Sequence, residues 1–224
     1  MSKVISTLAS LTVTLTSAQA LAGVVWFDTT EAMRAASGFP ITSRYTVNWA
    51  YANRSAEAVC MQNGYARGMY TGEQSGELMG VHCFTHDMVS WQDVPFSQIS
   101  RWAWWSDDIT VLDKQVSFKA EAATNSECDT MNYGGGFLTG HTGPNNVVGL
   151  VCLDRSHVTI RNADANDPQF QALTPPLNPH YAPWYQVRAA ANQVCQHYGF
   201  PTGTATGAAT TGSGILNLAF KCFY

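Results

Sequence analysis

A tryptophan-rich segment, SWQDVPFSQISRWAWWSDD at residues 90–108, contains the side chains best suited to contact a ligand. Flat indole faces stack on sugar rings, while carboxylates and amides hydrogen-bond to polar groups of a ligand. We therefore take Trp102, Trp104 and Trp105, together with Asp107, as a candidate binding group. If this stretch is extended, Trp102 and Trp104 lie on one face and Trp105 on the other.

A polar loop, GHTGPNN at residues 140–146, supplies a second candidate group. His141 offers an imidazole, and Asn145 and Asn146 offer amides that can both donate and accept hydrogen bonds. The glycines and the proline of this loop are also sufficient to explain an ordinary turn. Both interpretations remain open at the level of the sequence.

Metal binding has little support in the sequence. His82, His86 and Asp87 come closest to a ligand cluster, but they surround Cys83 on a predicted strand and turn. Ordinary surface residues explain them more simply, and no close C-x2-C pair is present. We expect no metal and no cofactor.

Catalysis also has little support. No G-x-S-x-G, H-E-x-x-H or P-loop pattern occurs. A secreted glycoside hydrolase needs two facing carboxylates, for which Glu73 with Glu77, or Asp107 with Asp108, could serve. Neither pair recurs elsewhere in the chain, and acids in turns are commonly solvated or capping residues. We expect no catalytic residue and a protein that is not an enzyme.

The N-terminal segment has the order of a secretory signal peptide, with Lys3, an apolar stretch and small residues before a cleavage site after Ala22. Removal of residues 1–22 takes away one positive charge and changes the net charge from −4 to −5. No Lys/Arg cluster remains, so we expect no nucleic-acid partner. We expect a secreted, periplasmic or cell-surface protein without a transmembrane segment after cleavage.

The cysteine spacing leads to an internal repeat. Three segments share the pattern C-x4-[Y/F]-x2-G-x2-T-G, and they are CMQNGYARGMYTG from Cys60, CDTMNYGGGFLTG from Cys128 and CQHYGFPTGTATG from Cys195. Each is followed by an apolar run that contains a second cysteine, namely Cys83, Cys152 or Cys222. The recurrent glycines are expected to mark tight strand geometry.

A second repeated pattern, V-x-[W/I]-x-[D/N], occurs upstream in VVWFD, VSWQD and VTIRN. Its alternation predicts a half-buried strand. An Ala-rich helix is expected before each first cysteine, ending near Gly64, Asn132 and Gly199, which can adopt the left-handed conformation. The chain is thus predicted to be one α+β domain, residues 23–224, of three strand-helix-hairpin units at about 23–86, 87–155 and 156–224.

The order of these parts suggests a closed ring. Cys83 precedes Trp91 by eight residues, and Cys152 precedes Ile160 by eight. We therefore expect each cysteine strand to form a hairpin with the opening strand of the next unit. The first opening strand, at residues 24–28, is expected to pair beside Phe220–Tyr224, which would protect both sheet edges.

One disulfide per unit is the simplest pairing of the six cysteines. Six cysteines allow fifteen connectivities, but threefold symmetry leaves three, and the local one needs the least ordering. We predict Cys60–Cys83, Cys128–Cys152 and Cys195–Cys222. Each closes a loop worth about 3 kcal/mol in the chain-entropy description.

Repetition, a neutral polar surface and the tryptophan cluster favour a lectin-like recognition protein that binds carbohydrate. Charged residues make up only 12% of the chain, about half the usual share. A ring of three units resembles lectin architecture, although fold alone does not establish function. The alternative is a structural or adhesive subunit of an extracellular assembly, so the expected partner is a glycan or a surface protein. The oligomeric state stays open.

Overall fold

The computed structural model describes residues 24–28, 49–75, 78–103, 117–164, 184–212 and 215–224. The signal peptide predicted at residues 1–22 lies outside this part of the chain. Among the described residues, no helix is both long enough and apolar enough to span a membrane.

The described chain contains four principal helices and nine strands in an α+β arrangement. In the first unit they are β1 (Val24–Asp28), α1 (Trp49–Gln62), β2 (Arg67–Ser75) and β3 (Leu78–Phe84). In the second they are β4 (Val89–Pro95), α2 (Phe96–Ala103), α3 (Ser117–Thr130), β5 (Gly135–Gly143) and β6 (Val147–Leu153). In the third they are β7 (Val158–Asp164), α4 (Trp184–His197), β8 (Thr202–Gly212) and β9 (Ile215–Phe223).

The strands form three antiparallel sheets with the orders β1-β3-β2, β4-β6-β5 and β7-β9-β8. Each opening strand pairs with the cysteine strand of its own unit, so the predicted hairpins between successive units are wrong. Because β1 pairs with β3, the predicted pairing of residues 24–28 beside Phe220–Tyr224 is also wrong.

The strand order explains this difference. The cysteine strand lies at the centre of each sheet, so its two edges are already occupied. The two outer strands are parallel to each other, and a helix crosses over between them, which is a split β-α-β arrangement. Between β3 and β4, the N–H of Met88 donates to the carbonyl of Thr85 (3.2 Å), and the N–H of Asp154 donates to the carbonyl of Met88 (3.0 Å). This turn leads the chain into the next sheet instead of reversing it within one.

The three predicted disulfides are confirmed, and each joins the end of a helix to the central strand of the same unit. A glycine follows the first cysteine by eight residues in every unit. A Cβ atom on Gly68, Gly136 or Gly203 would collide with the sulfur of that cysteine. The glycine of the repeated pattern is therefore required for the close approach of strand and disulfide.

The Thr-Gly step marks an irregularity in the second strand of each unit, as the sequence predicted. Register shifts occur between Tyr70 and Gln74, and at the corresponding places in β5 and β8. The threonine hydroxyl donates to a carbonyl of the central strand in all three units, with distances of 3.1, 2.9 and 2.9 Å for Thr71, Thr139 and Thr206. The residue two positions after the threonine therefore lies outside the regular pairing register of the strand.

The predicted helix ends are also confirmed. Gly64, Asn132 and Gly199 have φ angles of 85°, 69° and 84°, in the left-handed region that glycine and asparagine tolerate. The next amide in each unit donates back to the carbonyl of the helical cysteine at 2.9 to 3.0 Å. The chain thereby turns from the helix directly into the second strand.

Helices α1, α3 and α4 each pack on their own sheet and on the sheet of another unit. The first junction is the contact of α1 with β5, the second is that of α3 with β8, and the third is that of α4 with β2. Residues that follow the second cysteine of each unit meet in a shared apolar cluster, which contains Phe84, Leu153 and Phe223. The rings of Phe137 and Phe223 lie 5.3 and 6.1 Å from that of Phe84.

A buried ion pair connects the helices of the second and third units. Arg188 on α4 donates to the carboxylate of Glu121 on α3 and, at 3.2 Å, to the carbonyl of Tyr70 in the first unit. The second carboxylate oxygen of Glu121 accepts the N–H of Ala205 at 2.7 Å. Burial raises the pKa of Glu121, while Arg188 opposes that shift. The guanidinium also lies 6.0 Å from the ring of Phe137 in the second unit. Arg188, a residue of the third unit, therefore contacts residues of both other units.

Candidate binding site at the first junction

The structure places the predicted tryptophan group only in part. Trp102 belongs to helix α2, which corrects the extended segment assumed for Trp102 and Trp104. A helix does not alternate its side chains between two faces. Trp104, Trp105 and Asp107 lie outside the described residues.

His141 lies on β5, immediately after the Thr-Gly step. Its backbone N–H donates to the hydroxyl of Thr139 at 3.2 Å, which fixes the backbone at this point. Its Nε2 atom lies 2.7 Å from Oε2 of Glu57, a residue of α1 in the first unit. The side chain of Glu57 is 3% exposed and that of His141 is 43% exposed. A buried carboxylate thus orients an imidazole that solvent can reach.

Trp91 covers the strand beside His141. The two rings are 5.7 Å apart in an edge-to-face arrangement. The indole packs against Gly149 on the central strand, where a Cβ atom would collide with it. Its Nε1–H donates to the carboxylate of Asp93 at 2.9 Å. Trp91 is half-buried and also packs against the shared apolar cluster.

Arg67 completes the arrangement from the first unit. Its guanidinium lies 4.4 Å from the centre of the Trp91 ring, a cation-π contact. Its Nη1 donates to Oε1 of Glu57 at 2.6 Å. The carboxylate of Glu57 therefore stands between a guanidinium and an imidazole. We refer to Glu57, Arg67, Trp91, Asp93 and His141 as the His141 cluster.

The two asparagines of the candidate loop lie just beyond His141. Pro144–Asn146 forms a short 3₁₀ turn between β5 and β6. Asn145 and Asn146 are exposed and have φ angles of 62° and 56°. Asparagine tolerates this conformation better than most residues, so the turn needs them for its shape. Their amides face solvent on the loop that follows the His141 strand.

The other proposed clusters are not brought together in the described part of the chain. His82 is fully buried, which contradicts its expected place on the surface, whereas His86 and Asp87 lie on an exposed turn. Within the described ranges, no group of three His, Cys, Asp or Glu residues is arranged to hold a metal ion. The hydroxyl of Thr85 holds the pKa of Asp87 below its usual value through a hydrogen bond.

The carboxylate pairs proposed for hydrolysis are not assembled by the described residues either. Glu73 lies on β2, where its N–H donates to the hydroxyl of Thr71 at 3.4 Å. Its suggested partner Glu77 lies outside the described residues, as do Asp107 and Asp108.

Sequence reasoning identified His141 but missed Glu57 and Arg67. Both come from the first unit, so no spacing within the second unit indicates them. One signal was present: the position three residues before the first cysteine is Glu57, Asn125 or Asn192, polar each time. All three side chains are buried, and a buried polar residue requires a partner from elsewhere.

No protein-family model, no curated protein and no solved structure matches this chain.

Proposed function

We propose that the chain is a secreted recognition protein that binds carbohydrate at the His141 cluster. The observation that carries this proposal is the combination of a half-buried indole, a solvent-accessible imidazole and an exposed carboxylate within one surface region. Trp91 supplies apolar ring edges, and Asp93 and His141 supply hydrogen-bonding atoms around them. Sugars are recognised by this pairing of flat apolar surface with a few oriented polar groups.

The composition of the cluster favours a single site. The residues equivalent to His141 are Glu73 and Ala208, counted from the first cysteine of each unit. The position of Trp91 is occupied by Ile160 in the third unit, and that of Arg67 by Gly135 in the second. The first junction is therefore the one that combines an indole, a guanidinium and an imidazole among these equivalent positions.

The proposal includes an arrangement of the three units around a pseudo-threefold axis. Three observations support it: the cyclic order of the three junctions, the shared cluster around Phe84, Leu153 and Phe223, and the contacts of Arg188 with all three units. Closure would then rest on helix-to-sheet packing. It would not need the strand pairing that the sequence had suggested.

Export is the second part of the proposal. Three disulfides and no free cysteine among the six are typical of proteins that mature in an oxidising compartment. We propose that residues 1–22 direct export to the periplasm, the cell surface or the medium.

Replacement variants taken from the chain itself test the carbohydrate proposal. Trp91→Ile and His141→Ala install the residues that the third unit carries at these positions, so both are compatible with the backbone. We expect a glycan array to identify a sugar for the native chain, and each variant to weaken its binding at least tenfold. The matched control, Glu73→Ala in the first unit, should bind normally. A native chain without array hits, whose tryptophan fluorescence responds to no sugar, would refute the proposal.

An exposed aromatic patch in the third unit favours adhesive protein binding as the second candidate. Tyr198 and Tyr224 are 44 and 52% exposed. Arg161 lies over the rings of Tyr198 and Phe200 at 5.4 and 5.1 Å. Aromatic and arginine side chains are enriched at protein interfaces. Tyr198→Asp should abolish any concentration-dependent association seen by light scattering, whereas it should leave sugar binding at the His141 cluster intact.

A further inference from the structure

Three positions of the repeated unit meet at the second junction, and the repeat assigns the same three positions to the other two. They are the residue three before the first cysteine, the residue seven after it, and the residue just before the second cysteine of the neighbouring unit. At the first junction these are Glu57, Arg67 and Val151; at the second, Asn125, Gly135 and Lys221; at the third, Asn192, Thr202 and His82. We call each set a junction triad.

The second junction establishes the geometry of a triad. A Cβ atom on Gly135 would collide with Cδ of Lys221 and with Oδ1 of Asn125, so the three residues are in direct contact. Lys221 extends from the third unit across Gly135, and its Nζ binds both carboxylate oxygens of Asp129 on α3 at 2.7 Å. The residue before the second cysteine therefore faces the helix of the preceding unit.

The same placement applies to His82 at the third junction. Helix α4 packs on β2 as α3 packs on β8. Arg188 reaches the carbonyl of Tyr70, and the backbone of Ala189 lies against Gly72, which fixes α4 over the sheet that contains His82. His82 pairs with Met69 of the adjacent strand β2, and its ring lies 4.5 Å from that of Phe84. Both His82 and Phe84 lie on the face of the sheet opposite to Cys83. His82 thus faces the third unit, where Asn192 and Thr202 occupy the other two triad positions.

The third triad differs from the others in its hydrogen bonding. His82, Asn192 and Thr202 are all fully buried. Among the described residues, both imidazole nitrogens, both amide atoms of Asn192 and the hydroxyl of Thr202 have no hydrogen-bond partner. The amide of Asn125, by contrast, donates to the carbonyl of Ala205 at 2.8 Å and accepts the N–H of Gly136 at 3.0 Å. Buried polar groups without partners weaken the contact in which they lie.

We propose that the third junction is an acid-sensitive opening point, at which the first and third units separate when His82 binds a proton. This inference is independent of carbohydrate binding, because it concerns a different junction from the His141 cluster.

The charged surroundings of His82 favour this response. The ionisable residues on the elements that pack against β3 and α4, excluding tyrosines, are Asp28, Arg54, Glu57, Arg67, Glu73, Glu121, Glu127, Asp129, Arg161, Asp164, Arg188, His197 and Lys221, with Lys119 at the start of α3. Glu57 pairs with Arg67 and His141 at the first junction. On α4, the described cation closest in sequence to Asn192 is Arg188, and its carboxylate partner is Glu121. No carboxylate among the described residues forms a hydrogen bond or an ion pair with the imidazole, so a proton there would add a buried positive charge without a counter-ion.

The direction of the pH effect follows from proton linkage. Burial lowers the pKa of His82 to about 3, whereas a solvent-exposed histidine has a pKa of about 6.5. The open form therefore binds the proton more tightly than the closed form. The closed junction is fully stable above about pH 6.5, and its opening constant rises about tenfold for each pH unit below that value, down to about pH 3.

Hydrogen exchange of the full disulfide-bonded chain tests the proposal. Between about pH 6.5 and pH 5, we expect the opening constants of amides in β3 and α4, corrected for intrinsic exchange, to rise about sixteenfold. His82→Val installs the residue found at the equivalent position of the second unit, Val151, and should remove this rise. His86→Val, at an exposed histidine of the neighbouring turn, is the matched control and should retain it.

Two outcomes would overturn the proposal. Retention of the acid response in His82→Val would show that another group controls it. An equal rise in α1 and β5, which lie at the first junction, would show global destabilisation in place of local opening. If His82→Val does not fold, His82→Gln provides a polar, non-titrating replacement that must also lose the acid response.

Discussion

The first and third junctions use the same positions of the unit, but the partners of their buried polar groups differ. At the first, the buried carboxylate of Glu57 contacts both Arg67 and His141 at 2.6 and 2.7 Å. At the third, Asn192 and Thr202 have buried polar atoms without hydrogen-bond partners in the described part of the chain. The same backbone positions therefore support one junction whose buried carboxylate lies between an arginine and a histidine, and one whose buried polar groups have no such partners.

At the second junction, a large side chain at one triad position compensates for a small one at another. A glycine at residue 135 is matched by the long side chain of Lys221, and the equivalent positions of the first junction hold the large Arg67 and the smaller Val151. Close packing requires such compensation when one position is emptied or filled. The units therefore share residues that build strands, helix ends and disulfides, and they differ where one unit meets another. Function is expected at these differences.

The largest effect should follow from breaking the ion pair that touches all three units. Arg188→Met leaves the carboxylate of Glu121 buried without its cation, which typically costs about 3 to 5 kcal/mol. The cost should shrink as the pH falls, because burial raises the pKa of Glu121 and the unpaired carboxyl then takes up a proton. Denaturant unfolding at several pH values measures both effects.

The double variant Glu121→Gln with Arg188→Met is the control for this experiment. It removes both charges and keeps an oxygen that can accept the N–H of Ala205, so it should recover much of the lost stability. A double variant as unstable as Arg188→Met alone would show that the guanidinium acts through its packing on Phe137 and its bond to Tyr70.

Local features were predictable from the sequence, and contacts between units were not. The cysteine, glycine and Thr-Gly positions recur because backbone geometry requires them, so the disulfides, the strands and the helix ends at Gly64 and Gly199 could be located. Strand pairing was misjudged because the eight residues from Cys83 to Trp91 fit a hairpin and a turn into the next sheet equally well. His141 was visible as a departure between copies, whereas its partner Glu57 depends on packing that spacing does not encode.

An intermediate effect should follow from changing the volume of the second triad. Lys221→Val removes the side chain that covers Gly135 and its bond to Asp129, and we expect a loss of about 2 kcal/mol from the emptied space. Gly135→Ala should also destabilise the native chain, because the new methyl group collides with Lys221. If the two positions compensate each other, the double variant will be less damaging than the sum of the single ones, by about 1 kcal/mol. Strict additivity in denaturant unfolding would contradict the volume matching inferred for this junction.

The smallest effect should come from the first junction, where Arg67 and His141, the two partners of Glu57, are partly solvated. Arg67→Thr installs the residue of the third triad, Thr202, and leaves Glu57 with His141 as its remaining partner. Because the side chain of Arg67 is 25% exposed, we expect a loss of about 1 kcal/mol. Tryptophan emission should change as well, since the cation leaves the face of Trp91. A loss as large as that of Arg188→Met would mean that the His141 cluster is needed mainly to hold the first two units together, and its availability for a ligand would then be in doubt.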